Sequence, residues 1–465
     1  MPYVLGIHLG ATATSAAVAR RSGGRWGQAL PVPLGSETPT VPTVLCRVQD
    51  GSFVAGEPAR KQEVTHHEWV VRAFTRALGD DSPLLVGSEF VPAQQLVATM
   101  IEWVADTVAQ HERHPPEHIT VAHSATWGPY RSHLVNQALS RLGLTDVTLV
   151  PEPVAVGLDY ANNQAVEENG VLAVGNVGGS GFDATVLRRR APGFEIVGAP
   201  LDSGHPGGQD LDDEVFGHLR SELGDELVAR DLSDVQERAA LAGLRAECTR
   251  AKEALSYQPQ TTVRVELPRV RTEVALSRTR YEQLARTHLE RVPDLLLQAV
   301  QSAGVDSEQL DALVLAGGSA RSPLVKQLVT ERLHQPRVDA APELVAARGA
   351  ALSSVDKLST SADKQGRGRG QGQVDETNVL VRVEGSASDS GGVDRRAADP
   401  LPAPRPPVEV QPMHIEPPDE DRQRTVKIIK LCVAAVLILG GLVLTIVQNY
   451  PESGSSGPSV LHQQK

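Results

Sequence analysis

Apolar and polar residues follow two rhythms through the first 355 positions. Short apolar runs bounded by turn residues predict strands: Tyr3-Val4-Leu5-Gly6-Ile7, Ala16-Ala17-Val18-Ala19, Ile119-Thr120-Val121-Ala122, Val171-Leu172-Ala173-Val174 and Ala312-Leu313-Val314-Leu315-Ala316. Between them, apolar residues at every third or fourth position predict helices at about 93–110, 129–142, 209–230, 234–256, 281–303 and 322–333. This alternation predicts an α/β fold. Strand-turn-strand units recur near 3–19 and 171–187, each around a glycine turn, which suggests two related halves.

The pattern stops after Ser354. Gly366-Arg367-Gly368-Arg369-Gly370 and Pro400-Leu401-Pro402-Ala403-Pro404-Arg405-Pro406-Pro407 are low-complexity, with few apolar residues to offset chain entropy. Residues 356–424 are therefore expected to form a disordered Gly/Arg- and Pro-rich linker. A second change follows at 426–447. From Leu431 to Val447 there is no charged residue, and Ile428 and Ile429 extend the run past Lys430, whose stem can snorkel. The length, about 20 residues, predicts a single transmembrane helix. Arg422, Arg424, Lys427 and Lys430 precede it, and no Lys or Arg follows until Lys465. The positive-inside bias puts the N-terminal part in the cytoplasm and 448–465 outside as a short tail. The chain is thus expected to be a single-pass cell-membrane protein. Met1-Pro2-Tyr3 lacks the basic start of a secretory signal.

Composition adds constraints. Aromatic residues make up only 3%, so the core must be built from Val, Leu and Ala. A net charge of −12 argues against general nucleic-acid binding, and no nucleic-acid partner is expected. Cys46, Cys248 and Cys432 are far apart, form no metal-type spacing and read as isolated reduced thiols.

Candidate chemistry lies in the glycine turns. Gly6-Ile7-His8-Leu9-Gly10-Ala11-Thr12 and Gly175-Asn176-Val177-Gly178-Gly179-Ser180-Gly181-Phe182-Asp183 each place a glycine turn after a strand. Without a Cβ, backbone N–H groups there can face phosphate oxygens. Glu152-Pro153-Val154-Ala155, Gly207-Gly208-Gln209-Asp210-Leu211-Asp212 and Leu315-Ala316-Gly317-Gly318-Ser319-Ala320-Arg321 complete an ordered set of five stretches.

With these in place, residues 1–355 resemble the ATPase domain of DnaK-type chaperones, the seventy-kilodalton heat-shock family. Gly56-Glu57-Pro58-Ala59-Arg60-Lys61-Gln62-Glu63-Val64-Thr65 is similar to the family's G-x-x-A-K-R-Q-A-V-T. Cys248-Thr249-Arg250-Ala251-Lys252-Glu253-Ala254-Leu255-Ser256 is similar to its C-E-K-A-K-x-x-L-S, and Leu276-Ser277-Arg278-Thr279-Arg280-Tyr281-Glu282-Gln283-Leu284 to its L-T-R-A-x-F-E-x-L. The resemblance implies a two-lobed, actin-like ATPase fold with duplicated βββαβα-type halves. It also implies binding of ATP or ADP with accompanying Mg²⁺. The implied nucleotide-binding residues are Gly10, Ala11, Thr12, Gly178, Gly179, Ser180, Gly207, Gly208, Lys252, Ser256, Gly317, Gly318, Ser319, Arg321 and Glu343.

The hydrolytic positions depart from the family's pattern. Its G-I-D-L-G reads His8 where an Asp helps hold the magnesium shell, and its D-L-G-G-G-T-F-D reads Asn176 and Gly181 for the first Asp and the Thr. Counted forward without gaps, its catalytic Lys falls on Thr75, while Glu152 is kept as the implied catalytic carboxylate. No firm metal ligand is identified. A proline that relays nucleotide state in the family falls on His123, with its Arg partner kept as Arg131. The residues after Ser354 do not resemble the family's peptide-gripping β-sandwich, so peptide clamping is not expected. The leading expectation is a membrane-tethered ATP-binding switch with weak or no hydrolysis that presents a surface to a protein partner not identifiable from sequence. The rivals are an active chaperone-type ATPase, a nucleotide-free scaffold with a vestigial site and, more distantly, a sugar kinase.

Overall fold

The computed structural model describes residues 1–224, 227 and 233–367, with side-chain surroundings up to 360. The chain divides into a compact unit, Met1–Asp375, and a remainder from Glu376 onward. The expected span at 426–447, its tail and nearly all of the linker lie outside the described residues. Among the described residues, no helix is long and apolar enough to cross a membrane.

Two large sheets dominate, and their strand orders match. In the first, Val147–Pro151, His118–His123, Tyr3–Leu9, Ala13–Ser22 and Arg25–Val32 lie side by side, with Thr40–Pro42 also paired to Ala13–Ser22. In the second, the order from the far edge is Gly193–Ser203, Phe182–Arg190, Val171–Val177, Ala312–Ala316 and Arg337–Val338. Each begins with a three-strand antiparallel meander, and two further strands then add in parallel to the first strand. Parallel addition requires crossovers, which helices supply: Ala93–Glu112 and Pro129–Arg141 in the first half, Pro323–Arg332 in the second. Each sheet has its own apolar cluster, one around Leu5, Ile7, Met100 and Ile101, the other around Val177, Phe182, Leu211 and Leu315.

Two helices run along the seam, Glu152–Asn163 and Val345–Arg367. Small residues let them approach closely. A Cβ on Gly349 would lie 1.7 Å from the Ala155 carbonyl, and one on Gly6 2.2 Å from the Ala351 nitrogen. Arg348 grips Asp159 through Nε and Nη2, at 2.8 and 2.7 Å, and also reaches Asp339. Thr120 and Ser354 share a buried hydrogen bond at 2.7 Å.

Several expected boundaries need correction. The last helix runs on to Arg367, past the expected start of the linker at 356. Its buried Ala347, Ala351 and Ser354 anchor the first half, and Lys357, bonded to Asp146 and Thr148, ties down its continuation where composition alone predicted linker. The helix expected at 281–303 is two helices, Arg278–Leu289 and Arg291–Ser302. Pro293 lacks an N–H, and its ring would clash with the Leu289 carbonyl in one continuous helix. The helix expected to reach 230 ends at Leu223, where Gly224 takes φ 54°.

Candidate functional site

The glycine turns come together. Gly10 donates its N–H to the Ala13 carbonyl at 3.1 Å, closing the first turn, and Gly178 to the Gly181 carbonyl at 2.9 Å, closing the second. The turns touch: a Cβ on Gly179 would lie 2.3 Å from Thr12 Oγ1. The Gly208–Leu223 helix begins against the second turn, with Gly208 N–H on the Gly178 carbonyl (2.9 Å) and Gln209 N–H on the Gly179 carbonyl (2.8 Å). A Cβ on Gly207 would sit 2.4 Å from the Gly181 nitrogen. Gly317, at φ 85°, passes so close to Asn176 that a Cβ would meet its Oδ1 at 2.3 Å. Ser319 Oγ reaches the Gly178 carbonyl at 3.4 Å. Ala11, Ser180 and Gly318 ride on these same turns.

On the nucleoside side, Lys252 donates to the Gly208 carbonyl at 2.9 Å and pairs with Asp212 at 2.8 Å. Gly208 lies between it and Ser319. Ser256 sits just past the Val235–Ala254 helix, in the turn with Tyr257. The Arg321 guanidinium is forked onto Glu343, bonds the Ala340 carbonyl at 2.8 Å and meets the Tyr257 hydroxyl, with the Tyr257 ring 5.7 Å away. Tyr257 was not among the expected site residues; its place directly after Ser256 was the available signal.

The phosphate-chemistry side differs. His8 lies on the Tyr3–Leu9 strand, largely buried, with Nε2 3.2 Å from Glu152 Oε1. The contact is one of charge, since the two are not aligned for a hydrogen bond. Burial opposes charge on His8, but the Glu152 carboxylate outweighs it and lifts the imidazole pKa above its ordinary value. His123 is the opposite case: burial pulls it down to about 4, so it is neutral, stacked on Trp127 and bonded through Nδ1–H to the Ser124 carbonyl. Arg131 lies against Gly79 instead. Glu152, Asn176, Asp183 and Thr126 line a small pocket with room for roughly one water. Burial pushes Asp183 up to about 8, helped by the Glu152 and Asp202 charges, and Asn176 Nδ2 reaches it only at 3.5 Å. Asp183 closes the second glycine stretch but was not singled out from sequence. Thr75 is buried, while its neighbour Arg76 is exposed and donates to the Ser180 carbonyl.

Comparison with known proteins settles the family. A sequence model described as Hsp70 protein matches residues 84–361, more than half of the chain. The chain belongs to the Hsp70 family. It is 28% identical over 344 residues to the chaperone protein DnaK of Elusimicrobium minutum, covering 71% of this chain and 54% of that protein. It is 24% identical over 390 residues to the DnaK proteins of Thermotoga petrophila and Thermotoga maritima, covering 82% of this chain and 63% of theirs. The chain thus spans about half to three-fifths of the length of these curated relatives.

Hsp70 proteins generally bind ATP or ADP with Mg²⁺. The residues here fit the nucleotide half of that pair: bare glycine turns, Lys252 and Ser319 around Gly208, and Arg321 braced by Glu343. They do not fit the metal half. His8 and Asn176 stand where the family's pattern has carboxylates, and of the acids in the small pocket Glu152 and Asp183 remain. Among the described residues, no group of three or more His, Cys, Asp or Glu could hold a metal ion.

Proposed function

We propose that this Hsp70-family chain is a membrane-anchored ATP-binding switch with weak or no hydrolysis, whose two lobes close on nucleotide and present a surface to a protein partner. The reading rests above all on one contact, His8 against Glu152. Phosphoryl transfer needs an oriented nucleophile and charge stabilisers aimed at the transferring group. In this chain the kept carboxylate faces an imidazole instead. Closure follows if ATP binds the closed arrangement better than the open one, since a ligand shifts an equilibrium only by differential affinity.

The test is calorimetric titration of the full chain with ATP and ADP, alongside a single-turnover assay. Binding with turnover near background is the expected result. Turnover at a rate typical of DnaK chaperones, abolished by Glu152→Gln, would sink the switch. An active ATPase is the second reading, because Glu152 and Asp183 share one small pocket.

The anchor is argued from the uncharged run Leu431–Val447 and its basic N-terminal flank. The full chain should sediment with membranes and resist carbonate extraction, whereas a chain ending at Asp421 should remain soluble. With the N-terminal part in the cytoplasm, external protease should remove the 448–465 tail. A tail protected from outside would overturn the orientation.

A further inference from the structure

Residues 75 and 76 face different surroundings. Thr75 is turned inward and buried, and Arg76 crosses from the first half to the second turn, where its guanidinium donates to the Ser180 carbonyl. Its own turn is closed by Arg76 N–H on the Ala73 carbonyl at 3.0 Å, with Ala73 at φ 52°. A non-glycine residue there costs about 1–2 kcal/mol, so surrounding structure must hold it.

Gly181 completes the arrangement. A Cβ at 181 would lie 3.2 Å from Arg76 Nη2 and 2.5 Å from the Ser203 carbonyl. A side chain at 181 would crowd the guanidinium slightly and the Ser203 carbonyl severely. Arg76 forms no ion pair within 4 Å among the described residues; its guanidinium bonds the neutral Ser180 carbonyl, acts on the Asp183 carboxyl by charge, and leaves other N–H donors open. A guanidinium stays charged at any working pH and matches phosphate oxygens in a two-pronged geometry. On the other side of the turns, His8 takes the place of a carboxylate and rests against Glu152. His8 and Asn176 thus replace two acidic groups, Glu152 and Asp183 remain, and Arg76 adds a fixed positive charge beside them.

We propose that Arg76 supplies the positive charge on nucleotide phosphates for which relatives use a divalent ion, so that this protein binds ATP and ADP without a metal. The inference rests on the nucleotide-binding reading above. Arg76 acts as a binding and specificity residue for the phosphates, not for the base.

The experiment is calorimetric titration of the full chain with ATP, ADP and adenosine, each in excess Mg²⁺ and in EDTA. ATP and ADP should bind about as tightly in EDTA as in Mg²⁺. Arg76→Ala should weaken both by roughly tenfold to a hundredfold in either medium, the worth of one or two charge-assisted bonds. Adenosine binding should not change, and Arg76→Lys should fall between. Because Arg76 is exposed, the variant should fold, and the EDTA comparison on the unaltered protein needs no variant at all. Loss of ATP binding in EDTA while adenosine still binds would overturn the metal-free site alone. So would an Arg76→Ala protein with unchanged ATP affinity. Failure of all three ligands in both media would overturn the nucleotide-binding reading and this inference together.

Discussion

The residues on the two sides of the glycine turns depart unequally from the Hsp70 pattern. Lys252, Ser319, Arg321 and Glu343, the residues expected to face the nucleoside, are each braced by a neighbour. On the phosphate-chemistry side, His8, Thr75, Asn176 and Gly181 replace the groups that would hold metal or stabilise transfer. The glycine turns between the two sides are intact. In the proposed switch, binding and hydrolysis use different parts of one scaffold, so the second can be lost while the first persists.

The strongest attempt to break this comparison is to rebuild the altered side. His8→Asp, Thr75→Lys and Asn176→Asp together should raise single-turnover hydrolysis by at least about 10²-fold, the usual worth of one electrostatic stabiliser. The gains are not expected to multiply, because such groups act as a unit. Adding Gly181→Thr should give less than the triple change, since its Cβ would meet the Ser203 carbonyl at 2.5 Å. A triple variant that binds ATP well yet stays at background would show that these substitutions are not the sufficient cause.

The shared turns come next. Gly207→Ala places a Cβ 2.4 Å from the Gly181 nitrogen and must push the second turn. Overpacking of this kind costs roughly 1–3 kcal/mol, so ATP affinity by calorimetry should fall about tenfold to a hundredfold. Unchanged affinity would detach the turns from nucleotide.

On the nucleoside side, Arg321→Met should weaken adenosine and ATP alike, by about tenfold, through loss of the guanidinium and release of Glu343. A drop confined to ATP would move Arg321 to the phosphate side.

The smallest effect is one of stability. Burial holds the Asp183 pKa at about 8, above its unfolded value. Between the two values the folded state binds the extra proton, so stability falls as pH rises through about 8. His8, with a raised pKa, acts in the same direction. Asp183→Asn removes the buried charge, so its Tm should exceed the parent's most at pH 9, and the gap should close toward pH 5. A gap that widened toward pH 5 would reverse the sign assigned to Asp183.

Much of this was legible in the chain. Short continuous apolar runs located Tyr3–Leu9, Val171–Val177 and Ala312–Ala316, because strands buried on both faces carry apolar side chains at successive positions. The strands Arg25–Val32 and Gly193–Ser203 were not legible. They are edge strands with mostly exposed or partly exposed residues, so no clean alternation marks them. The Val345–Arg367 helix escaped for the opposite reason: its Ala-rich first half is buried on several sides and shows no single apolar face.

For the site, the sequence by itself determined which groups are present: bare glycine turns, a kept Glu152, and four replacements at positions where chemistry was expected. Glycine, charge and side-chain length are local properties that need no fold to be read. Only the tertiary structure decided what those groups face. His8 meets Glu152, and Arg76 reaches Ser180 into the space above Gly181, across more than a hundred residues of chain. Such pairings follow from how two sheets and their seam helices pack, which no local pattern specifies. A buried group's protonation, and a cation's partner, are set by whatever that packing brings within a few ångströms.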